Sequence, residues 1–208
     1  MSNVQWDKST VFASGYLWPA IKQIMERLRL SKQAKVLDVG CGVGYYSKTL
    51  YDMGYTNVWS FDNYAPRVNE FKNILTTLAD KCALHDALEQ KLPAGFPSGE
   101  YDVVMMLEVI EHLIEPQQCM NNISSWLKKG GIAIVSAPYH SYLKNLSIAL
   151  FNRFDWHYAP LESGRHINFF SRATLSRCMR ASGLTPKHFY GVGRTHFLWK
   201  SMIITGEK

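Results

Sequence analysis

Apolar and polar residues along this chain follow two different periods. Near the amino end, residues 16 to 30 place apolar side chains three and four positions apart, the spacing of one buried helix face. Farther along, short apolar runs bounded by turn residues alternate with stretches of helical period. Short, nearly continuous apolar runs are typical of strands that are buried on both faces. The pattern therefore predicts alternating strands and helices, and with them a parallel sheet covered on both sides.

Five apolar runs predict the parallel strands. They are KVLDVG at 35–40, NVWSFD at 57–62, KCALHD at 81–86, YDVVMML at 101–107 and IAIVSAP at 132–138. The predicted helices between them cover 45–53, which Gly54 closes, 65–78 and 116–127, and the KKGG sequence at 128–131 is predicted to be a turn.

The last third of the chain departs from this rhythm. An aromatic-rich segment between Pro138 and His166 is too long for a simple connection, and it leaves from the sheet edge where parallel sheets bind ligands. A helix is then predicted from Ser171 to Gly183. Two apolar runs separated by a short Gly-containing loop follow it and predict a hairpin. A parallel sheet that ends in a hairpin is not the plan of a dinucleotide dehydrogenase.

Composition and charge limit the classes of protein that fit this pattern. The 208 residues are 47% apolar and 19% charged, which is typical of a folded soluble protein. No apolar run reaches the ~18 residues that span a bilayer, and the first ten residues lack the plan of a secretory signal. The four cysteines are scattered without a C-x-x-C pair, so we expect a cytoplasmic protein without a zinc site or disulfide. The net charge of +6 is spread out, and it fits either a solvated surface or an anionic partner.

Three glycines join the first strand to the next helix in the sequence VLDVGCGVGYYSKTL. This loop lacks the lysine of a phosphate-binding P-loop, and neither Gly40 nor Gly42 starts the glycine spacing of a dinucleotide site. Glycines let a ligand approach the backbone closely at a helix N-terminus. Asp38 heads the loop, and its carboxylate would repel a phosphate but would suit a ligand that carries an amino group.

Two further acids stand at the ends of the next strands. Asp62 ends the second strand, where a carboxylate can accept hydrogen bonds from both ribose hydroxyls. Asp86 lies just beyond the third strand, where a side chain could reach an adenine amino group. Together with the loop, these acids indicate a nucleoside with a cationic amino-acid end. S-adenosylmethionine has both an amino group and a sulfonium.

The chain resembles the class I S-adenosylmethionine-dependent methyltransferases from about residue 34 to residue 203. The matching sequences are VLDVGCGVGYYS, SFD, HDALE, YDVVMMLEVIEHL and LKKGGIAIVSAP. The resemblance implies a Rossmann-like α/β fold with a mostly parallel seven-stranded sheet, a C-terminal antiparallel hairpin and helices on both faces. It also implies S-adenosyl-L-methionine as the cofactor.

The resemblance carries a set of cofactor-binding residues onto this sequence. They are Asp38, Gly40, Cys41, Gly42 and Gly44 at the methionine side, Asp62 and Asn63 at the ribose, Asp86 and Ala87 beside the adenine, and Leu107 and Glu108 closing the pocket. We expect Cys41 to contribute main-chain contacts and small size, not a nucleophile.

We expect a single methyltransferase domain over residues 1–208. Its parts are an N-terminal helical cap (1–33), a cofactor-binding half (34–137), an acceptor lid (138–168) and a C-terminal helix and hairpin (169–208). Trp6 and Tyr16 are candidates to close over the cofactor from the amino-terminal side.

Two sequences, EVIEHL and GRHINFFSRATL, resemble the branch that contains ubiquinone-biosynthesis O-methyltransferases and many small-molecule methylases. The resemblance implies a small-molecule acceptor, with a phenolic or quinol hydroxyl first and a sugar or other metabolite still open. In that branch, an E-x-x-E-H motif, here Glu108, Glu111 and His112, has been linked to a divalent cation. The alternative is that Glu111 and His112 are dipole and capping partners of a helix, and our prediction is no metal.

Methyl transfer to oxygen requires an acceptor aligned ~3–3.5 Å from the methyl carbon and removal of one proton. Histidine is the natural base at neutral pH. His140 follows the fifth strand and His166 stands where the extra segment rejoins the fold, so these two are the predicted catalytic residues, with His157 between them.

The segment 138–168 is predicted to form an acceptor lid. Its apolar and aromatic residues are Tyr142, Leu143, Leu146, Leu150, Phe151, Phe154 and Trp156. They suit a planar or lipid-like acceptor. The alternatives are ordinary core packing, or peripheral membrane contact by an amphipathic stretch aided by Lys144 and Arg153.

The sequence disfavours some other functions and leaves others open. A nucleic-acid substrate is disfavoured because LEVIEH follows the fourth strand in place of the [DNS]-P-P-[YFW] motif, and no basic, aromatic-studded appendage is present. A sugar or protein acceptor, or a non-catalytic cofactor-binding partner protein, stays open. The sequence indicates no oligomeric state.

Overall fold

The computed structural model describes residues 13–158, 161, 165–196 and 198–208. Residues 1–12 of the predicted N-terminal cap, which include Trp6, lie outside the described residues. The helices of the described part are α1 (Ser14–Arg27), α2 (Tyr45–Asp52), α3 (Ala65–Ile74), α4 (Pro116–Trp126), α5 (Tyr142–Leu150), α6 (Phe154–Tyr158) and α7 (Arg172–Ala181), with 3-10 helices at Thr76–Lys81 and Ile110–His112. Its strands are β1 (Val36–Val39), β2 (Val58–Asp62), β3 (Cys82–Leu84), β4 (Tyr101–Leu107), β5 (Leu127–Pro138), β6 (Thr185–Val192) and β7 (Ser201–Glu207).

The seven strands form one sheet in the order β3-β2-β1-β4-β5-β7-β6. The first five strands are parallel, and β7 runs antiparallel to both β5 and β6. This confirms the predicted Rossmann-like fold with its C-terminal hairpin. The strand order reverses between β1 and β4, and in such sheets a crevice forms there at the carboxyl ends of the strands.

Alternate residues of the central strands face two separate cores. Val103 and Met105 of β4 pack with α1, whereas Val104 and Met106 pack with α4 and α7. A period of two follows from strand geometry, since successive side chains point to opposite faces. Helices therefore cover both faces of the sheet, as predicted.

The structure corrects two of the predicted elements. The third helix ends at Ile74, because Leu75 leaves helical geometry and a 3-10 helix follows. The KKGG turn was wrong, since β5 already begins at Leu127, which pairs with Tyr101. The Gly130 N–H donates to the Lys208 carbonyl, so this stretch is held in the sheet.

The segment 138–168 carries two helices, and neither buries a side chain. Tyr142, Leu150 and Trp156 are between 73% and 78% exposed. The alternative of ordinary core packing is therefore wrong for α5 and α6. Within the described part of the chain, no helix is long and apolar enough to cross a bilayer.

Candidate active site

The glycine loop between β1 and α2 holds three left-handed residues that serve different purposes. A Cβ on Gly44 (φ +90°) would lie 2.4 Å from the Phe71 ring, and one on Gly40 (φ +70°) would lie 2.5 Å from Val109. At Gly42 (φ +56°) a Cβ would meet nothing within 4 Å. Two of the glycines therefore permit close packing, and the middle one faces open space in the crevice.

The backbone N–H groups of this loop are used inside the protein. Their acceptors are the Phe61 carbonyl for residues 40 and 41 (2.8 and 3.0 Å), Asp62 Oδ2 for residue 42 (2.9 Å) and the Cys41 carbonyl for residue 44 (2.9 Å). A phosphate cradle needs such groups directed at the ligand. These four amides are therefore not available to a phosphate, which agrees with a ligand that presents an amino group instead.

Asp38 lies beneath the loop and not in the crevice. Its carboxylate is 1% exposed and accepts a hydrogen bond of 2.6 Å from the Ser47 hydroxyl, which also contacts the Ser60 hydroxyl at 2.8 Å. Burial raises the pKa of Asp38 to about 6, against the opposing effect of the Ser47 hydrogen bond. Asp38 thus anchors α2 to the sheet, and its predicted contact with the cofactor stays a prediction.

The acids at the ends of β2 and β3 brace the backbone around the crevice. Asp62 accepts the N–H groups of Gly42 (2.9 Å) and Tyr64 (3.0 Å), and Asp86 accepts that of Leu88 (2.9 Å). A carboxylate has about four lone-pair sites, so each acid keeps capacity for a ligand. Their predicted ribose and adenine contacts, and those of the exposed Asn63 and the buried Ala87, stay predictions.

A cavity of about 170 Å³ opens at the crevice between β1 and β4. The predicted residues that line it are Gly40, Cys41, Gly42, Leu107 and Glu108. The Cys41 thiol is buried, which raises its pKa well above the usual value and leaves it unreactive, as expected.

Tyr46 and Arg67 also line this cavity, and the sequence analysis missed both. The buried Tyr46 hydroxyl has no hydrogen-bond partner among the described residues, and burial raises its pKa. A buried donor without a partner is costly, so it suits a ligand contact. The signal in the sequence was only that Tyr46 follows the loop in the first turn of α2.

Glu108 separates the cofactor cavity from a larger one. It follows β4 with φ +56°, a strained conformation for a non-glycine residue. Ser136 and Ser201 each donate a hydrogen bond of 2.8 Å, one to each of its carboxylate oxygens. Burial raises the pKa of Glu108 in spite of these two bonds. Glu108 lines both cavities and so lies at their junction. The two serine hydrogen bonds hold its carboxylate in place there.

The larger cavity, which we call the acceptor chamber, has a volume of about 720 Å³. It extends from Glu108 to Trp156 of α6 and Trp199 of the β6–β7 connection. Of the two predicted catalytic histidines, only His166 lines the chamber, and both histidines line two neighbouring cavities. Burial lowers the pKa of each of these two histidines to about 4, so both are neutral at pH 7.

Glu111 meets two histidines in the wall of the chamber. The N–H groups of Ile167 and Asn168 donate to its carbonyl (2.9 and 3.0 Å), which brings the His166 Nε2 within 3.9 Å of Glu111 Oε1. The His112 Nε2 lies 4.0 Å from the same oxygen. The sequence analysis did not group His166 with the E-x-x-E-H motif, because more than fifty residues separate them.

The Glu111 carboxylate is fully buried, and neither oxygen has a hydrogen-bond partner among the described residues. Burial raises its pKa well above the usual value, and the nearby Glu108 adds to this. Glu111 lies in the first turn of the 3-10 helix and His112 in its last turn, so the alternative that they are dipole partners of a helix stays open. The Glu111 carboxylate and the two imidazoles could instead hold a cation, since one ligand atom from each lies within 4.8 Å of the others.

The fold and this site first define a class: an α/β protein with a nucleoside cofactor site at the switch point of a mostly parallel sheet. The chain belongs to the family described as a methyltransferase domain, whose family model matches residues 15–188. It is an S-adenosylmethionine-dependent methyltransferase, as the resemblance implied.

Individual relatives are distant. The ubiquinone biosynthesis O-methyltransferase of Hydrogenovibrio crunogenus is 24% identical over 194 residues, or 92% of this chain and 79% of that protein. Its counterpart in Caulobacter vibrioides is 34% identical over 125 residues, or 55% of this chain and 44% of that protein. Among solved structures, magnesium protoporphyrin IX methyltransferase from Synechocystis, with bound SAH, matches with a TM-score of 0.66 and 18% identity over 100% of this chain and 90% of its own.

Proposed function

We propose that this methyltransferase acts on a hydroxyl oxygen of a small phenolic or quinol-type acceptor that binds in the acceptor chamber. The observation that carries the proposal is the chamber itself, which meets the cofactor cavity at Glu108 and presents a neutral histidine, His166, in its wall. The names of the ubiquinone-biosynthesis relatives favour the same acceptor class. A sugar hydroxyl is the second candidate.

When bound, S-adenosylmethionine supplies the methyl group and a sulfonium leaving group. The chain's own residues then have two tasks, which are to align the acceptor and to take its proton. His166 is neutral and faces the chamber, so its imidazole can accept the hydroxyl proton as the oxygen attacks. Trp156 and Trp199 line the chamber and provide flat apolar surfaces for an aromatic ring.

A divalent cation is the second route by which the proton could be removed. The unpartnered Glu111 carboxylate and the two neutral imidazoles of His112 and His166 fit such an ion. Bound there, it would lower the pKa of an acceptor hydroxyl. In this alternative the same three residues act as ligands, and no free base is needed.

Product release with a panel of acceptors tests the function. We expect purified protein to release S-adenosylhomocysteine with catechols or quinols and not with simple sugars. Repeating the assay after chelation, and then after adding back Mg²⁺ or Zn²⁺, distinguishes the cation from a free histidine base. Release with sugars alone would replace the phenolic acceptor, and no release with any acceptor would favour a non-catalytic cofactor-binding protein.

We also propose that the segment 138–168 rests on a membrane surface. The exposed apolar side chains of α5 and α6, together with Arg153, support this, because a large exposed apolar patch indicates an interaction surface. A lipid-like acceptor would then enter the chamber from that side.

A further inference from the structure

The acceptor chamber is electropositive. Among the described residues, four Lys or Arg side chains line it against two carboxylates. These cations are Lys144, Arg153, Arg194 and Lys200. A neutral phenol or quinol does not require such a lining.

Two of these cations come from different elements and meet at the chamber. Lys144 belongs to α5, and Arg194 belongs to the connection between β6 and β7. Burial lowers the pKa of Lys144 and the positive charge of Arg194 lowers it further, whereas the nearby Glu108 carboxylate raises it. The Lys144 Nζ donates to the Tyr139 carbonyl at 3.2 Å. Neither cation forms a salt bridge with a carboxylate in the part of the chain that the structure describes.

Two positive charges in the wall of one cavity repel each other, and an anion bound between them would relieve that repulsion beyond what the Glu108 carboxylate supplies. An oxyanion would accept hydrogen bonds from both an ammonium and a guanidinium, and such charge-assisted bonds are strong. The cations in the wall of the chamber therefore favour an acceptor that carries a negative charge as well as an aromatic ring.

We propose that the methyl acceptor carries an oxyanion, a carboxylate or a phosphate, which Lys144 and Arg194 bind in the wall of the chamber. This deepens the proposed function and rests on it for the identity of the chamber as the acceptor site. The carboxylate or phosphate end would orient the acceptor so that its hydroxyl faces Glu108 and the cofactor cavity. Part of the net charge of +6 then serves to attract the substrate.

The methionine carboxylate of the cofactor is the competing occupant for these cations. We therefore choose binding measurements on protein saturated with S-adenosylhomocysteine, in which that carboxylate is already in place. Calorimetric titrations with inorganic phosphate and with benzoate, at constant ionic strength, require no turnover. The two probes also separate a phosphate site from a carboxylate site.

We expect the wild-type protein to bind at least one probe. Lys144→Met and Arg194→Met should each weaken that binding about tenfold or more, the size expected for one charge-assisted hydrogen bond. Lys144→Arg should retain most of it, which guards against loss through misfolding. Lys129→Met is the matched control, because it removes one charge from an exposed position at the opposite end of β5.

Several results would overturn the proposal. They are the absence of binding by either probe, an equal loss in the Lys129→Met protein, or weaker S-adenosylhomocysteine binding as the main effect of the two chamber substitutions. If the probes bind as expected while no phenol or quinol releases S-adenosylhomocysteine, the oxyanion site stands and the phenolic acceptor fails.

Discussion

At the scale of single residues, burial determines the chemistry of this site. His166 and Glu111 are 3.9 Å apart, yet burial lowers the pKa of the histidine and raises that of the acid. Both shifts favour the uncharged form of each group, which suits a base or a cation ligand better than a permanent ion pair.

Replacing His166 with alanine tests this assignment. We expect His166→Ala to lower kcat by about 10²–10⁴, the usual contribution of a general base, and to leave S-adenosylhomocysteine affinity unchanged. His140→Ala is the matched control, because its imidazole is equally neutral but does not line the chamber. Steady-state kinetics and calorimetry make the comparison. Equal losses of kcat in the two variants would contradict the choice of His166.

Asp38 gives a prediction for the pH dependence of stability. The folded protein holds the Asp38 proton up to about pH 6, whereas an unfolded chain releases it near pH 3.8. Ionisation therefore opposes folding as the pH rises between these values, and the penalty persists above them. Relative to wild type, Asp38→Asn should gain about 3 kcal/mol in the free energy of unfolding between pH 4 and pH 7.

Urea unfolding followed by circular dichroism at several pH values measures this difference. Ser47→Ala is a useful second variant, because it removes the hydrogen bond that lowers the pKa of Asp38 and should extend the loss of stability to higher pH. A difference between Asp38→Asn and wild type that does not change with pH would refute the prediction.

At the scale of elements, the loop between β1 and α2 combines packing and ligand binding in five residues. Gly44 allows α2 to lie against Phe71 of α3, and Gly40 allows Val109 to approach from the end of β4. The crevice is therefore shaped by contacts between elements, and Gly42 is the loop glycine at which an added Cβ would meet open space in the cofactor cavity.

Alanine substitutions should separate these two roles. Gly44→Ala forces a positive φ and a contact of 2.4 Å with Phe71, so it should cost about 2–4 kcal/mol of stability. Gly42→Ala meets no neighbour and should cost only about 1–2 kcal/mol, but its methyl group enters the crevice and should weaken S-adenosylhomocysteine binding. Unfolding and calorimetric titrations measure the two effects. Similar cofactor affinity in Gly42→Ala and wild type would count against the site.

At the scale of the whole molecule, the helices α5 and α6 expose a group of apolar side chains to solvent. α5 and α6 bury none of their side chains, although the sequence there is rich in leucine and aromatic residues. A few residues of these helices line the acceptor chamber, and most of their apolar side chains are exposed to solvent. A surface of this kind suits a lipid bilayer.

Vesicle sedimentation tests the membrane proposal. Wild-type protein should sediment with vesicles of anionic lipid, and the double substitution Leu146→Glu, Leu150→Glu should abolish most of that binding, because it places two charges in the apolar surface. Leu84→Glu is the control, since Leu84 is also exposed but lies on β3 at the far edge of the sheet. Equal binding by all three proteins would rule out this surface.

Much of the fold was predictable because burial patterns are local. The five apolar runs correspond to β1–β5, and the Ser171 cap and Gly183 mark the helix α7 as expected. The KKGG stretch was misjudged because its glycines look like a turn until strand pairing with Tyr101 and Lys208 is known. Similarly, the sequence could not show that α5 buries none of its side chains, since a leucine-rich helix usually faces a core.

The sequence by itself determined the order of strands and helices, the hairpin, and a glycine loop without the spacing of a phosphate-binding P-loop, because each depends on the spacing of neighbouring residues. Only the tertiary structure decided which distant side chains meet. His166 joins Glu111, and Arg194 joins Lys144, because the segment 138–168 and the β6–β7 connection come together over the carboxyl ends of the strands. Contacts between residues so far apart in the chain depend on tertiary packing, and no periodic pattern of the sequence predicts them.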